Sequence, residues 1–371
     1  MKALILTSST GHGHVAAAEA MRDALMDCGG ECETVDALSF AGTQTADIIK
    51  QTIVNIAVKT PRAFGFVYQA ADAVSSDKYK SPVYYANSLY AEKLYAYIKE
   101  HHFDTALCPH LFPAEALTWL KKERGLKLAS FYISTDYTRI PFLQELEMDR
   151  IFIPHEDLKY IFRDEGIPCD NMTAAGIPVS RAFRSSTAKE EARKRCGILQ
   201  DVPAFLVMSG GEGGGDAVKV TQALVQIAQK DMRVLVLAGN NADLKEKIDK
   251  KFRGDIRVRA LGFTQEVPQY MDACDVLITK PGGVTSTEAA VKGIPLIHVS
   301  PIPGVETENA RFFSQRGMSV LAEDARDAAE NALRLARDTK AAARMRTAQK
   351  QYVNPRAAEE ICGNIAEMMK R

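Results

Sequence analysis

The stretch Thr279 to Asn309, TKPGGVTSTEAAVKGIPLIHVSPIPGVETEN, decides how the chain is read. It opens on a strand end, passes a Gly-Gly turn at Gly282 and Gly283, and predicts a helix from Ser286 to Lys292. A second apolar strand, Ile294 to Val299, follows, and then an acidic loop. A turn that presents backbone N–H groups just before a helix attracts phosphate, because the positive end of the helix dipole adds to them. The stretch therefore predicts a nucleotide-diphosphate site.

Working outward, the same strand, glycine turn and helix recur. Upstream, Ala204 to Met208 is a strand that enters SGGEGGGDA (Ser209 to Ala217) and then an amphipathic helix. Strands at Arg233 to Ala238, Ile256 to Ala260 and Asp275 to Thr279 alternate with helices, and a closing helix is expected from Glu323 to Gln351. Pro355 breaks it, and Arg356 to Lys370 reads as a last helix. At the other end of the chain, strand Lys2 to Ser8 runs through TGHGH (Thr10 to His14) into a helix that stops at Gly29-Gly30, and the next strand starts near Glu33. Such βαβ order implies a parallel sheet. Strands at Asp104 to Pro109, Leu128 to Ser134, Arg150 to Pro154 and Met172 to Ala175 continue it, and GIPVSRAF (Gly176 to Phe183) is the linker.

The expected fold class is thus α/β, with two facing Rossmann-like domains and a cleft between their strand C-termini. The domains run over 1–180 and 181–355, and 356–371 forms a C-terminal helix that crosses back to the first domain. From about residue 40 to 100 helical stretches rich in aromatics interrupt the first domain: Phe64, Phe66, Tyr68, Tyr79, Tyr84, Tyr85, Tyr90, Tyr95 and Tyr97. They read either as an extra helical layer on the core or, with Lys50, Lys59, Arg62, Lys78 and Lys80 beside them, as a flap facing an acceptor or a membrane.

Length agrees with two domains, since single cores seldom grow past roughly 250–300 residues and the chain has 371. Lys+Arg and Asp+Glu both number 47, so no global field favours nucleic acid. MKALILTSSTGHGH reads as a first strand and not as a signal peptide, and no apolar run of about 18 residues suggests a membrane span. Peripheral membrane contact stays open. The seven cysteines are scattered and without a C-x-x-C pair, which fits reduced thiols in a cytosolic protein.

Within the opening stretch, Gly282, Gly283, Thr285 and Ser286 offer N–H and hydroxyl groups to phosphate, and Lys280, followed by Pro281, offers charge. Glu288, read as lying in the first helical turn, is placed to accept ribose hydroxyls or simply to complement the helix dipole. Gly304, Glu306, Glu308 and Asn309 are dense in acceptors suited to sugar hydroxyls, or else cap the next helix. Ser209, Gly210 and Gly211 allow backbone to approach a pyrophosphate without Cβ clashes. No D-x-D triplet occurs, so leaving-group stabilisation by helix N-termini is the expected chemistry, with no metal and no cofactor. His14, with Gly13, ends the first glycine turn; its imidazole suits deprotonation of an attacking hydroxyl, or else it caps the helix. Asp136, in STDY, also lies at a strand C-terminus and is the alternative base or the group that orients His14. The other histidines show no metal-ligand spacing.

With these residues in place the chain resembles the diacylglycerol glycosyltransferases: monogalactosyldiacylglycerol synthases, bacterial processive diacylglycerol glucosyltransferases and the related lipid-linked N-acetylglucosaminyltransferases of peptidoglycan synthesis. The likeness rests on GHGH, the aromatic insertion, Thr135-Asp136, GIPV at Gly176 to Val179, and KPGG followed by PIPG and an acidic-Asn segment. It implies a GT-B fold and inverting, metal-independent transfer of a hexose from a UDP-sugar. It further implies that Ser209, Gly210 and Gly211 line the diphosphate and that Phe263 and Thr264 meet the uracil through backbone groups. Gly282, Gly283 and Thr285 then hold phosphate, Glu288 holds ribose, Glu306, Glu308 and Asn309 meet the sugar, and His14 stands at the acceptor hydroxyl. Where the family often has Gln after PIPG this chain has Val305, and where many members have a His after the TD pair it has TDYTRIPF.

The expected partners are a UDP-sugar, a lipid acceptor and the inner face of the cell membrane, held peripherally; the oligomeric state is not legible. The competing readings are transfer to a polyprenyl-linked or soluble acceptor, a non-hydrolysing UDP-sugar epimerase, and non-catalytic nucleotide binding.

Overall fold

The structure, a computed structural model, describes residues 1–8, 11–42, 80–209, 216–228 and 231–370. Most of the aromatic insertion, residues 43–79, and the candidate residues Gly210 and Gly211 lie outside the described residues.

The chain divides into two compact units, Met1–Ser180 with Asn354–Arg371, and Arg181–Val353. The first contains a six-stranded parallel sheet in the order β2-β1-β3-β4-β5-β6: β1 Lys2–Thr7, β2 Glu31–Asp36, β3 Thr105–Cys108, β4 Ala129–Ile133, β5 Arg150–Ile153 and β6 Met172–Ala174. The sequence dictates this layering. Strands such as TALC and ASFYI carry apolar residues on both faces, so each face must be covered by helices, as in any parallel sheet. The helix His12–Asp27 covers one face through Ala18, Met21 and Leu25, which pack with Ile5, Phe131 and Phe152.

The last helix, Ala357–Met368, returns to this unit, and Ile361, Cys362 and Ile365 complete the same core. Full burial of one such aliphatic side chain contributes ~1.5–3 kcal/mol. Gly176 makes the return feasible. Its φ of +99° suits glycine, and a Cβ there would come within 2.9 Å of the Ala357 Cβ. Asn354 secures the crossing by donating to the Ala175 carbonyl at 2.8 Å.

The second unit repeats the plan in the order β12-β11-β10-β7-β8-β9, again parallel: β7 Ala204–Met208, β8 Arg233–Leu237, β9 Val258–Leu261, β10 Val276–Thr279, β11 Leu296–His298 and β12 Val320–Leu321. Three expectations need correction. The closing helix is two helices, Ala325–Arg337 and Thr339–Tyr352, because Asp338 leaves helical geometry (φ −91°, ψ 86°) and its carboxylate caps the second through the Ala341 N–H. The helix after the Gly-Gly turn starts at Gly283, three residues before Ser286. The acidic loop is the start of a helix, Val305–Gln315, whose Glu306 and Glu308 complement its positive end.

Candidate active site

In an open parallel sheet, ligands bind where successive crossovers leave in opposite directions, because no helix closes that crevice. In the first unit the chain goes from β1 outward to β2 and then back to β3 on the other side of β1. The switch point therefore lies between the C-terminal ends of β1 and β3, with β4 next to them.

All the chemistry-bearing residues of this unit come from those three strand ends. His14, third residue of its helix, places Nδ1 2.8 Å from the Pro109 carbonyl oxygen, after β3, and 3.1 Å from Thr135 Oγ1, after β4. A carbonyl only accepts, so Nδ1 carries the proton and Nε2 is the basic nitrogen. The Thr135 hydroxyl in turn faces Asp136 Oδ2 at 3.4 Å. Asp136 thus reaches His14 through Thr135. Burial pushes the His14 imidazole below the ordinary histidine value, against the opposing effects of the Asp136 charge and the Pro109 carbonyl. The result is a neutral imidazole near pH 7, which is the form a general base requires.

His110 is a component that sequence reasoning passed over. Its ring stands edge-on to His14 at 4.5 Å, and its Nδ1 caps the helix Leu111–Arg124 by accepting from the Phe112 N–H at 3.1 Å. Burial, with His14 nearby, holds it well below the usual histidine range. The available signal was its place directly after β3, the same sheet edge that singled out His14 and Asp136.

The second unit has its switch point between β7 and β10, since β8 and β9 extend one way from β7 and β10, β11 and β12 the other. Ser209 follows β7, and Lys280 to Gly283 follow β10. Ser209 is buried, and among the described residues its hydroxyl has no partner. Gly282, the N-cap of the helix Gly283–Lys292, has an ordinary φ of −69°, and a Cβ there would meet nothing within 4 Å among the described residues. Among the described residues nothing demands glycine at this position, and its lack of a side chain leaves the helix N-terminus open to approach.

Thr285 is half-buried in the first turn. Ser286 is not available to a ligand as expected: its hydroxyl bonds His298 Nε2 at 3.0 Å, while Ser319 bonds His298 Nδ1 at 3.1 Å. Glu288 falls in the second turn, not the first, because the helix begins earlier than its sequence suggested. Burial alone pushes its carboxyl up to about 8, and among the described residues no donor reaches it.

Lys280 pairs with Glu306 at 3.2 Å, and the other Glu306 oxygen accepts from the Ile302 N–H at 2.7 Å. Asn309, fully buried, donates to the Pro281 carbonyl at 3.0 Å, so KPGG and the acidic helix are tied together. Gly304 is required by its backbone, φ 103° and ψ −123°. Glu308 is engaged by Arg311 at 2.9 Å and stands apart from this group. Phe263 is 65% exposed after β9, and the Thr264 hydroxyl accepts from the Glu266 N–H. A further link was not legible in the sequence: Ser300, at φ 51°, donates to Asp216 Oδ2 at 2.7 Å, fastening the end of the glycine loop to the segment after β11.

Residues 14–179 match the family model for monogalactosyldiacylglycerol (MGDG) synthase, and residues 206–361 match that for the glycosyltransferase family 28 C-terminal domain. The chain is 25% identical over 367 residues to a processive diacylglycerol beta-glucosyltransferase of Bacillus mycoides, covering 98% of this chain and 93% of that one. Among solved structures it resembles Acinetobacter baumannii MurG (TM-score 0.61, 14% identity, 99% of each chain). It also resembles the UDP-GlcNAc 2-epimerase of Neisseria meningitidis bound to UDP-GlcNAc (TM-score 0.64, 14% identity, 99% of this chain and 100% of that one). These two likenesses show the α/β GT-B fold alone and do not choose between transfer and epimerisation. The two family models do: the chain belongs to the UDP-sugar glycosyltransferases that join an MGDG synthase domain to a family 28 C-terminal domain.

Proposed function

We propose that the protein transfers a hexose from a UDP-sugar to the free hydroxyl of a diacylglycerol, inverting the anomeric centre and using no metal ion. The observation that carries this reading is the His14 geometry, with Nδ1–H held by Pro109 and Nε2 left as the base. Nε2 takes the acceptor proton as the acceptor oxygen attacks the anomeric carbon, and the bond from that carbon to the UDP oxygen breaks on the opposite side. The proton rests on His14, where the Asp136 charge stabilises it through Thr135. Charge that develops on the departing diphosphate meets the N–H groups of the helix starting at Gly283, with Lys280 beside them. Glu288 accepts the ribose hydroxyls, while Glu306 and the buried Asn309 serve the donor site indirectly, by holding Lys280 and Pro281 in place.

A lipid acceptor is supported by the MGDG synthase match and by the named activity of the Bacillus mycoides relative. No helix of the described residues is long and apolar enough to cross a membrane. Tyr85 (59% exposed) and Leu89 (86% exposed) support peripheral attachment to a membrane surface. The test is a screen of UDP-glucose, UDP-galactose and UDP-N-acetylglucosamine against vesicles with and without diacylglycerol. A glycolipid that depends on diacylglycerol is expected. Donor consumption without acceptor, giving an epimer by NMR, would overturn the reading.

A further inference from the structure

The first unit holds a cavity of about 510 Å³ between the turn Ala37–Ala41 and the helix Pro82–Ser88, walled by Leu38, Phe40, Val83, Leu89 and Phe112. Among the described residues three polar ones also line it, Asn87, Tyr90 and Lys93, and the polar atoms of the first two are already spent. The Asn87 amide donates to the Val83 carbonyl at 2.9 Å and to Glu115 at 2.6 Å, and its oxygen accepts from the Tyr90 hydroxyl at 3.0 Å. Lys93 stands exposed at the rim. The interior thus offers a ligand apolar surface, which disfavours a sugar or nucleotide, whose hydroxyls would be buried without partners.

One wall residue stands two ring contacts away from the candidate base. The Phe112 ring meets His110 edge-on at 4.6 Å, and His110 meets His14 edge-on at 4.5 Å. A molecule whose hydroxyl sits at His14 and whose remainder follows this aromatic wall carries its apolar part into the cavity. Only an amphiphile does both.

We propose that the cavity receives an acyl chain of the acceptor, and that it selects a lipid over a soluble glycan. The proposal rests on the reading of His14 as the base that meets the acceptor. Its volume falls within the range of about 300–1,000 Å³ usual for small-ligand sites.

The test uses the full chain and vesicles containing a diacylglycerol with a photoreactive diazirine near the end of one acyl chain, with mass-spectrometric mapping of the adducts. Adducts are expected on residues 82–93 and on Phe112. They should fall at least severalfold in Ala86→Trp, an exposed position on the cavity rim where an indole fills the space without entering the core. In transfer assays the same variant should raise KM for a long-chain diacylglycerol by about tenfold, the worth of roughly two buried methylenes, and leave a short-chain diacylglycerol unaffected. Adducts elsewhere only, adducts indifferent to the Trp, or equal effects on both chain lengths would overturn the proposal. Adducts in the cavity without any glycolipid product would remove the transferase reading and keep the cavity assignment. Glycolipid formed without those adducts would do the reverse.

Discussion

The Nδ1 atom of His14 lies 2.8 Å from the carbonyl oxygen of Pro109, although 95 residues separate them in the chain. That bond fixes the proton on one side of the ring and leaves the other side basic. Because burial lowers the pKa of this imidazole, and the Asp136 charge only partly restores it, the acid limb of kcat/KM should fall below pH 6.5. Removing the charge with Asp136→Asn should move that limb to still lower pH. A pH profile of glycolipid formation checks both, and a limb unmoved in the variant would mean that Asp136 does not act on His14.

Glu288 gives a binding prediction with a definite sign. Its carboxyl is pushed up to about 8 by burial, so it is largely protonated at pH 7 without ligand. In the proposed site ribose hydroxyls would donate to the charged form and favour it. UDP binding at pH 7 should therefore release a proton, visible as buffer-dependent heat in calorimetry, with affinity rising from pH 6 to 8 and then levelling. Glu288→Gln should abolish the release and weaken UDP about tenfold, ~1.4 kcal/mol.

Two glycines of the second unit should behave oppositely. Gly304→Ala puts a side chain at φ 103° and ψ −123° and should cost about 1–3 kcal/mol of stability. Gly282→Ala places its Cβ at φ −69° with none of the described residues within 4 Å, so the melting temperature should hold while UDP affinity falls at least tenfold, ~1.4 kcal/mol. Thermal melts and UDP titrations of the two variants separate the roles.

Much of this was legible in the residues themselves. Continuous apolar strands followed by glycine turns predicted parallel sheets, and the strand C-termini pointed to His14, Asp136, Ser209 and the KPGG segment. Contacts between neighbouring strand ends were not legible. That Ser286 serves His298, that His110 abuts His14, and that Ser300 holds Asp216 depend on strand order, which brings together residues 12, 96 and 84 positions apart. Helix starts were misplaced for a local reason: glycine and acidic residues at Gly283 and Val305 to Glu308 look like loop by composition, yet suit the first turn of a helix.

His298 predicts acid sensitivity of the second unit. Burial holds its pKa at about 3, between the Ser286 and Ser319 hydroxyls, while an unfolded histidine titrates near 6.5. The unfolded chain therefore binds more protons between these values. Stability, fully present above pH 6.5, should be lost as pH falls toward 3, by up to about 1.4 kcal/mol per pH unit. Amide exchange of β10 and β11 in the full chain follows it, and His298→Gln should flatten the dependence.

The most direct test of the account is the turnover of His14→Ala on diacylglycerol vesicles, measured beside its affinity for UDP. A positioned general base contributes about 10²–10⁴-fold, so glycolipid formation should fall by at least the lower figure while UDP binding, which the proposal assigns to the other unit, is unchanged. Undiminished turnover in His14→Ala would contradict it.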